Sequence, residues 1–270
     1  MKKRFFLFVF ACAAAAFAAP GAAQAQKKEL NIGFFPGPYA DQFNRAIQPQ
    51  LEAKGYKINA TEFSNILQLN TALMDGALDV NIFQNKGFMD LFNGQNKADL
   101  TEILRIPSAP MGLYSDKVKS MADIKDGMSV SIPNDSTSLA RSLIFLQGLG
   151  LIKVDPAVDI AKATERNVTE NPKNLKLVPL DAPQMPRSMA DVDLSTPMGN
   201  HVLASGRLLS SALAMEDPAP KYQIIIVTRA GNAESAWAKD IVDTYKSPAF
   251  KQFVQNDPKA KGFSIPDYWR

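Results

Sequence analysis

Arg141 is the side chain whose type and position call most directly for a chemical partner. It follows a run of small polar residues, Asn134-Asp135-Ser136-Thr137-Ser138, which in turn follows Met128-Ser129-Val130-Ser131-Ile132 and Pro133. An apolar run, a proline and then short side chains that can cap a helix read as the end of a strand passing into a helix. Leu139, Leu143 and Leu146 continue at helical spacing, and Gly148 and Gly150 can close the helix. The spacing places Arg141 in or next to the first turn, where the aligned peptide dipoles amount to about half a positive charge. A cation there is disfavoured by roughly 0.3–1 kcal/mol, so something negative should offset it. Two arrangements answer that need. One is a surface ion pair with a carboxylate of the protein. The other is a built anion seat, in which free N–H groups, hydroxyls and a bidentate guanidinium converge on the carboxylate of a ligand. Spacing alone does not choose between them.

Little else in the sequence offers reactive chemistry. His201 is the single histidine and Cys12 the single cysteine, which argues against a transition-metal site. His201 reads as a polar residue at a helix start rather than as a catalyst. No G-x-S-x-G elbow, G-x-G-x-x-G fingerprint or Walker A loop occurs. Carboxylates are plentiful, but no acid/base pair separates itself from the rest; Asp75 and Asp79 flank a turn and read as loop charges. Met74, Phe83, Phe88, Met89 and Phe92 read mostly as core, with some available to line an apolar slot. No cofactor and no metal is expected, and the residues point to binding rather than catalysis.

The N-terminus explains the apparent basicity. Met1-Lys2-Lys3-Arg4 precedes an apolar stretch from Phe5 to Phe17, and Ala23-Gln24-Ala25 matches the small-x-small pattern cut by signal peptidase. The stretch is shorter than the ~20 residues needed to span a bilayer, so residues 1–25 read as an export signal, with Gln26 as the mature start. Acylation of Cys12 is the alternative; Val9-Phe10-Ala11 before it is a poor lipid-attachment sequence because Phe10 is bulky. The chain holds 30 Lys and Arg against 27 Asp and Glu, and three of the cations lie in this segment. The remainder is formally neutral, without a basic footprint for nucleic acid.

The elements that must position Arg141 follow an α/β order. Leu30–Phe35, Tyr56–Thr61 and Leu78–Phe83 read as strands, separated by helices over Tyr39–Lys54 and near Leu67–Met74. That alternation implies an open, mainly parallel sheet whose ligands sit at the carboxyl ends of the strands, here Phe35–Pro38, Phe63–Asn65 and Phe83–Asn85. Strand-like pieces at Ile103–Ile106 and Met111–Tyr114 and a short helix at Val118–Ile124 come next. A second α/β set starts at Met128 and continues through Leu175–Leu180, a helix near Gln184–Ala190 and Val192–Ser195. Tyr222–Thr228 is the most apolar β-branched run and fits a central strand. Ser235–Tyr245 and Pro248–Val254 close the chain.

Several of these stretches carry a family resemblance. Gly37-Pro38 after the first strand is one, Asp79-Val80-Asn81-Ile82-Phe83-Gln84 another, and Ile132-Pro133-Asn134-Asp135 leading to Arg141-Ser142-Leu143 a third. Glu170-Asn171-Pro172-Lys173-Asn174-Leu175-Lys176 and Ala182-Pro183-Gln184-Met185-Pro186-Arg187-Ser188 complete the set. With these the chain resembles the NlpA/MetQ family of methionine-binding proteins, the extracytoplasmic component of a methionine ABC importer. The resemblance implies a two-lobed periplasmic-binding-protein fold of the α/β class, type II-like, with two crossing strands between the lobes. Lobe 1 would comprise 26–110 plus 222–270 and lobe 2 would comprise 111–221. It further implies that Arg141 holds an amino acid carboxylate and that Asn200 meets the polar end of the ligand. The implied partners are a small amino-acid-like ligand and the permease and ATPase complex of the inner membrane; a periplasmic monomer is expected.

Other pocket positions depart from the family pattern. Its Phe-Gln-His-Lys-x-Tyr run stands here as Phe83-Gln84-Asn85-Lys86-Gly87-Phe88, a usual tyrosine is Ile66, and two usual asparagines are Ser138 and Ile224. Each change removes a polar anchor or reshapes the slot, and such an anchor shifts discrimination by about 1–3 kcal/mol. The expected site is therefore Arg141 with Asn134, Thr137 and Ser138 at the carboxylate, Asn200 at other polar atoms, and Phe83, Asn85, Phe88, Ile66 and Ile224 around the side chain. The leading ligand is L-methionine or a related amino acid. A different amino acid or small peptide is the second reading, and an exported enzyme using Thr137 and Arg141 on a small acid the third.

Overall fold

Buried Leu30, Ile32 and Phe34, alternating along the first strand, make it the seed of the larger of two sheets. The computed structural model describes residues 27–159, 162–217 and 219–270; the export signal and the acylation alternative at Cys12 lie outside them. In chain order the first half runs β1 (Glu29–Phe34), α1 (Pro38–Gln42), a π-helical stretch (Phe43–Ile47), α2 (Gln48–Ala53), β2 (Lys57–Glu62), α3 (Ile66–Met74), β3 (Val80–Asn85), α4 (Lys86–Asn96), β4 (Leu100–Arg105) and β5 (Gly112–Leu113). The second half runs β6 (Ser129–Pro133), α5 (Ser136–Gly148), β7 (Lys153–Val154), β8 (Val168–Glu170), β9 (Lys176–Leu180), α6 (Met185–Ser188), β10 (Leu194–Ser195), α7 (Gly199–Ala204), β11 (Ala214–Met215), β12 (Ile224–Arg229), α8 (Ala236–Lys246) and α9 (Pro248–Asn256).

The larger sheet has the order β2-β1-β3-β12-β4. β1 pairs in parallel with β2 (Leu30 opposite Ile58) and with β3 (Ile32 opposite Val80). β12 runs antiparallel to both neighbours, with Ile226 opposite Ile82 and Leu104. Its run Ile225-Ile226-Val227 is fully buried, as a strand with neighbours on both sides requires. The smaller sheet, β10-β6-β9, is parallel throughout, with Leu194 and Leu177 flanking Val130.

The chain passes from the larger sheet to the smaller through β5 and returns through β11, and these two crossing segments pair antiparallel, Ala214 opposite Leu113 and Met215 opposite Gly112. One apolar cluster, built on Phe34, Phe43, Ile47, Ile226, Trp237 and Phe250, reaches across to Tyr114, Met189, Val202 and Leu209. A second surrounds Val130, Ile132, Leu143 and Leu146. A third fills the other face of the larger sheet around Leu69, Leu73, Phe92 and Val227.

Three local differences from the sequence reading have physical causes. The helix expected over Tyr39–Lys54 is interrupted by a π-helical stretch directly before Pro49, whose ring lacks an N–H and crowds the carbonyl four residues back. A full helix, α4, stands at Lys86–Asn96, where no helix was expected; Asn85 caps it by accepting from Phe88 N at 3.0 Å. The helix expected at Val118–Ile124 shrinks to one 3₁₀ turn, Met121–Asp123.

The crossing is tight at Gly199, the first residue of α7. A Cβ there would collide with the Pro110 carbonyl oxygen and lie 2.8 Å from Ala109 Cβ. A Cβ on Gly148, at the end of α5, would meet nothing. Gly199→Ala is expected to lower stability by about 1–3 kcal/mol through overpacking. Gly148→Ala should be neutral or slightly stabilising. Urea unfolding midpoints check both, and equal midpoints would show that the crossing segments yield.

Candidate functional site

The parallel strands of both sheets end at one place. Phe35 follows β1, Ser64 and Asn65 follow β2, Phe83–Asn85 end β3, Asn134 follows β6 and Asp181 follows β9, and all of them line one cavity of about 490 Å³. This is where open α/β sheets receive ligands, because loops after parallel strands diverge and leave backbone groups unpaired. The volume lies within the roughly 300–1,000 Å³ usual for small-molecule sites. A wider hollow of about 660 Å³ lies beside β7 and β8, but it has no aromatic wall and its Lys153 is paired with Glu170 at 2.8 Å.

Asp135 is the N-cap of α5, accepting from Ser138 N at 2.9 Å and from Thr137 Oγ1 at 3.0 Å. The first intrahelical bond is Leu139 N to Asp135 O, so the N–H groups of Ser136 and Thr137 precede the helical ladder. With Ser136 as the first helical residue, Arg141 stands at the start of the second turn, next to the first rather than in it. The dipole effect fades within the first turn, so the penalty foreseen for a cation is largely absent.

The guanidinium is nevertheless not bare. Arg141, 5% exposed, forms a two-point pair with Glu216 through Nε (3.0 Å to Oε2) and Nη2. Of the two arrangements left open by the sequence, the protein carboxylate is present, in a buried pair rather than a surface one. Glu216 directly follows β11 and also accepts from Met111 N at 2.6 Å. The Tyr222 ring lies 4.6 Å from the guanidinium carbon. Arg141 still lines the cavity, and among the described residues Nη1 has no protein acceptor.

All ten residues singled out from the sequence stand around this cavity: Asn134 from the loop after β6, Thr137, Ser138 and Arg141 from the first two turns of α5, Asn200 from α7, Phe83, Asn85 and Phe88 from β3 and α4, Ile66 from α3 and Ile224 from β12. Phe83 and Phe88 meet edge to face at 5.9 Å, and with Ile66, Leu67 and Ile224 they give the cavity an apolar wall. Asn85 spends its oxygen on capping α4, and Thr137 its hydroxyl hydrogen on Asp135. Gln84 is locked in a buried amide network, donating to Asn70 at 2.7 Å and Asn81 at 3.0 Å, which fixes β3 against α3.

Sequence reasoning missed Glu216, Tyr222, Tyr39 and Asp181 and gave His201 no part in the cavity. Tyr39 is buried, accepts from Ala109 N at 3.1 Å, and burial pushes its hydroxyl up to about 12. His201 meets Phe35 edge to face at 5.6 Å. Burial holds its imidazole down at about 4, against the opposing pull of Asp135 and Asp181. It is therefore neutral at pH 7.

The His201 shift has a definite sign. An unfolded chain protonates this imidazole near 6.5 while the folded protein does so only near 4. Between those values the unfolded state binds more protons, so stability is full above about pH 6.5 and falls as pH drops toward 4. His201→Gln should lose less stability than the parent between pH 7 and 5. Urea unfolding at several pH values measures this, and parallel curves would contradict it.

Known proteins share this fold. The NlpA lipoprotein model matches residues 30–268. The D-methionine-binding lipoprotein MetQ of Salmonella typhi is 34% identical over 235 residues, 86% of this chain and 86% of that protein. A nutrient binding protein from Burkholderia cenocepacia, solved bound to methionine, superposes with a TM-score of 0.81 at 31% identity, covering 87% of this chain and 100% of that one. An ABC transporter periplasmic substrate-binding protein from Coxiella burnetii gives a TM-score of 0.81 at 30% identity, over 88% of this chain and 100% of the other.

Proposed function

The chain belongs to the NlpA lipoprotein family, and from that premise we propose that it is the solute-binding component of an ABC importer, with L-methionine or a closely related amino acid as its ligand. The family is one of binding lipoproteins rather than of enzymes. The observation that carries the proposal is Arg141, nearly buried yet lining an intersheet cavity with Nη1 unclaimed. In this reading the ligand carboxylate takes Nη1 together with Ser138 Oγ and the N–H groups at the start of α5. Charge-assisted bonds of this kind are short and about twice as strong as neutral ones.

Asn200 meets the remaining polar atoms, and the thioether side chain lies against Phe83, Phe88, Ile66 and Ile224, where sulfur on an aromatic edge contributes roughly 0.3–1.5 kcal/mol. The lobes 26–110 plus 222–270 and 111–221 close on the ligand, and the inner-membrane permease and ATPase complex reads the closed form. Family members named for D-methionine make both enantiomers worth testing. A second reading, another amino acid or a small peptide, is favoured by one specific observation. Asn85, Phe88, Ile66, Ser138 and Ile224, the positions that depart from the family pattern, all face the cavity.

Two measurements check this. L-methionine should raise the melting temperature, and Arg141→Ala should abolish that rise; a full rise in the variant would exclude the seat. A panel of amino acids and dipeptides in the same assay decides for the second reading if methionine is silent and another compound is not. Mass spectrometry of the exported protein, recovered from the periplasm, should show Gln26 as its first residue. A lipid-bearing Cys12 would show membrane anchoring instead.

A further inference from the structure

Glu216 occupies Arg141, and the ligand reading above gives it no task. Its carboxylate engages Nε and Nη2 of the guanidinium while Oε1 also holds Met111 N of the crossing segment. Both side chains are more than nine-tenths buried, at 6% and 9% exposure. The guanidinium therefore reaches the cavity with its charge already balanced and one nitrogen, Nη1, left to donate. Arg141 is the only Lys or Arg among the described residues lining the cavity, whereas Asp135 and Asp181 line it too. Asp135 Oδ1 is spent on capping α5, and the carboxylate of Asp181 has no hydrogen-bond or ion-pair partner among the described residues. His201, which feels both of them, is neutral. Asp135 is half-buried and Asp181 exposed at the cavity rim, so a ligand bringing only a negative charge would join three carboxylates and a single guanidinium, and the like charges would disfavour it.

We propose that Glu216 sets the charge specificity of the site: by neutralising Arg141 it lets the cavity accept a carboxylate only from a molecule that carries its own cation. Zwitterionic amino acids bind, and carboxylic acids of the same shape without an ammonium group do not. The ligand carboxylate meets Nη1 end-on, and its ammonium offsets the carboxylates of Asp135 and Asp181. This inference rests on reading the cavity as an amino acid site. It differs from a merely structural role for Glu216, which would weaken every ligand alike.

The test compares the parent protein with Glu216→Gln, which keeps an oxygen to accept from Met111 N while removing the charge. Each is titrated with methionine, with 4-(methylthio)butanoate (the same chain without the ammonium) and with acetate. The parent should prefer methionine to the desamino acid by about 100-fold or more, since a site with groups placed for an ammonium strongly rejects the analogue lacking it. In Glu216→Gln that preference should shrink by about tenfold or more, and acetate, silent on the parent, should raise the melting temperature. The inference is overturned if the parent binds the desamino acid within a few-fold of methionine, or if the variant keeps the parent's preference and ignores acetate. The acetate arm is independent of ligand identity: a variant that responds to acetate while methionine is silent on the parent upholds the role of Glu216 and removes the methionine reading. If Glu216→Gln does not fold, the parent's preference for methionine over its desamino analogue decides alone.

Discussion

The buried pair of Arg141 and Glu216 is the constraint on which the arrangement of this protein turns. It joins α5, which packs on the smaller sheet, to the end of a crossing strand 75 residues further along the chain. Taking both charges out of water costs several kcal/mol per ion, and the mutual attraction in the interior returns this only with good geometry and further hydrogen bonds. Here the geometry is two-pointed, Met111 N takes up a carboxylate oxygen, and the Tyr222 ring covers the guanidinium. A pair of apolar residues would fill the same space at no loss of stability. What an apolar pair could not do is present a nitrogen donor to the cavity.

Topology delivers everything else to the same point. Parallel strands in both sheets place their carboxyl ends, and the loops after them, on one cavity. The two crossing segments that link the sheets pair with each other, and the end of the second one carries the carboxylate that holds Arg141. Gln84, Asn81 and Asn70 lock the end of β3 against α3, and Asn65 and Asn85 cap the helices that carry Ile66 and Phe88. The apolar wall is thus held by buried amides and caps rather than by loops free to move.

What could be read from the sequence was what is local. The strand, proline and cap residues before α5, the leucine spacing after them and the β-branched run of β12 are each signalled within a short stretch of chain; the elements form there, with Pro133 taken into β6 and β12 starting at Ile224 rather than Tyr222. The residues around the cavity were legible through family resemblance, which reports positions and not partners. Glu216 was not legible, because a pairing across 75 positions leaves no periodicity and nothing distinguishes this glutamate from the other carboxylates. Tyr222 was absorbed into the apolar run that follows it, and α4 was hidden by the glycines and asparagines scattered through Lys86–Asn96. The π-helical stretch before Pro49 shows the same limit at short range, since the proline signal marks a disturbance without saying how the backbone absorbs it.

A crystal structure of the protein with methionine tests the role of Arg141 most directly. The expected result is a ligand carboxylate oxygen at about 2.8 Å from Arg141 Nη1, with Glu216 still on Nε and Nη2 and the thioether against the Phe83 and Phe88 rings. A ligand carboxylate seated away from Arg141, or an Arg141 that abandons Glu216 to grip it with both terminal nitrogens, would contradict that role.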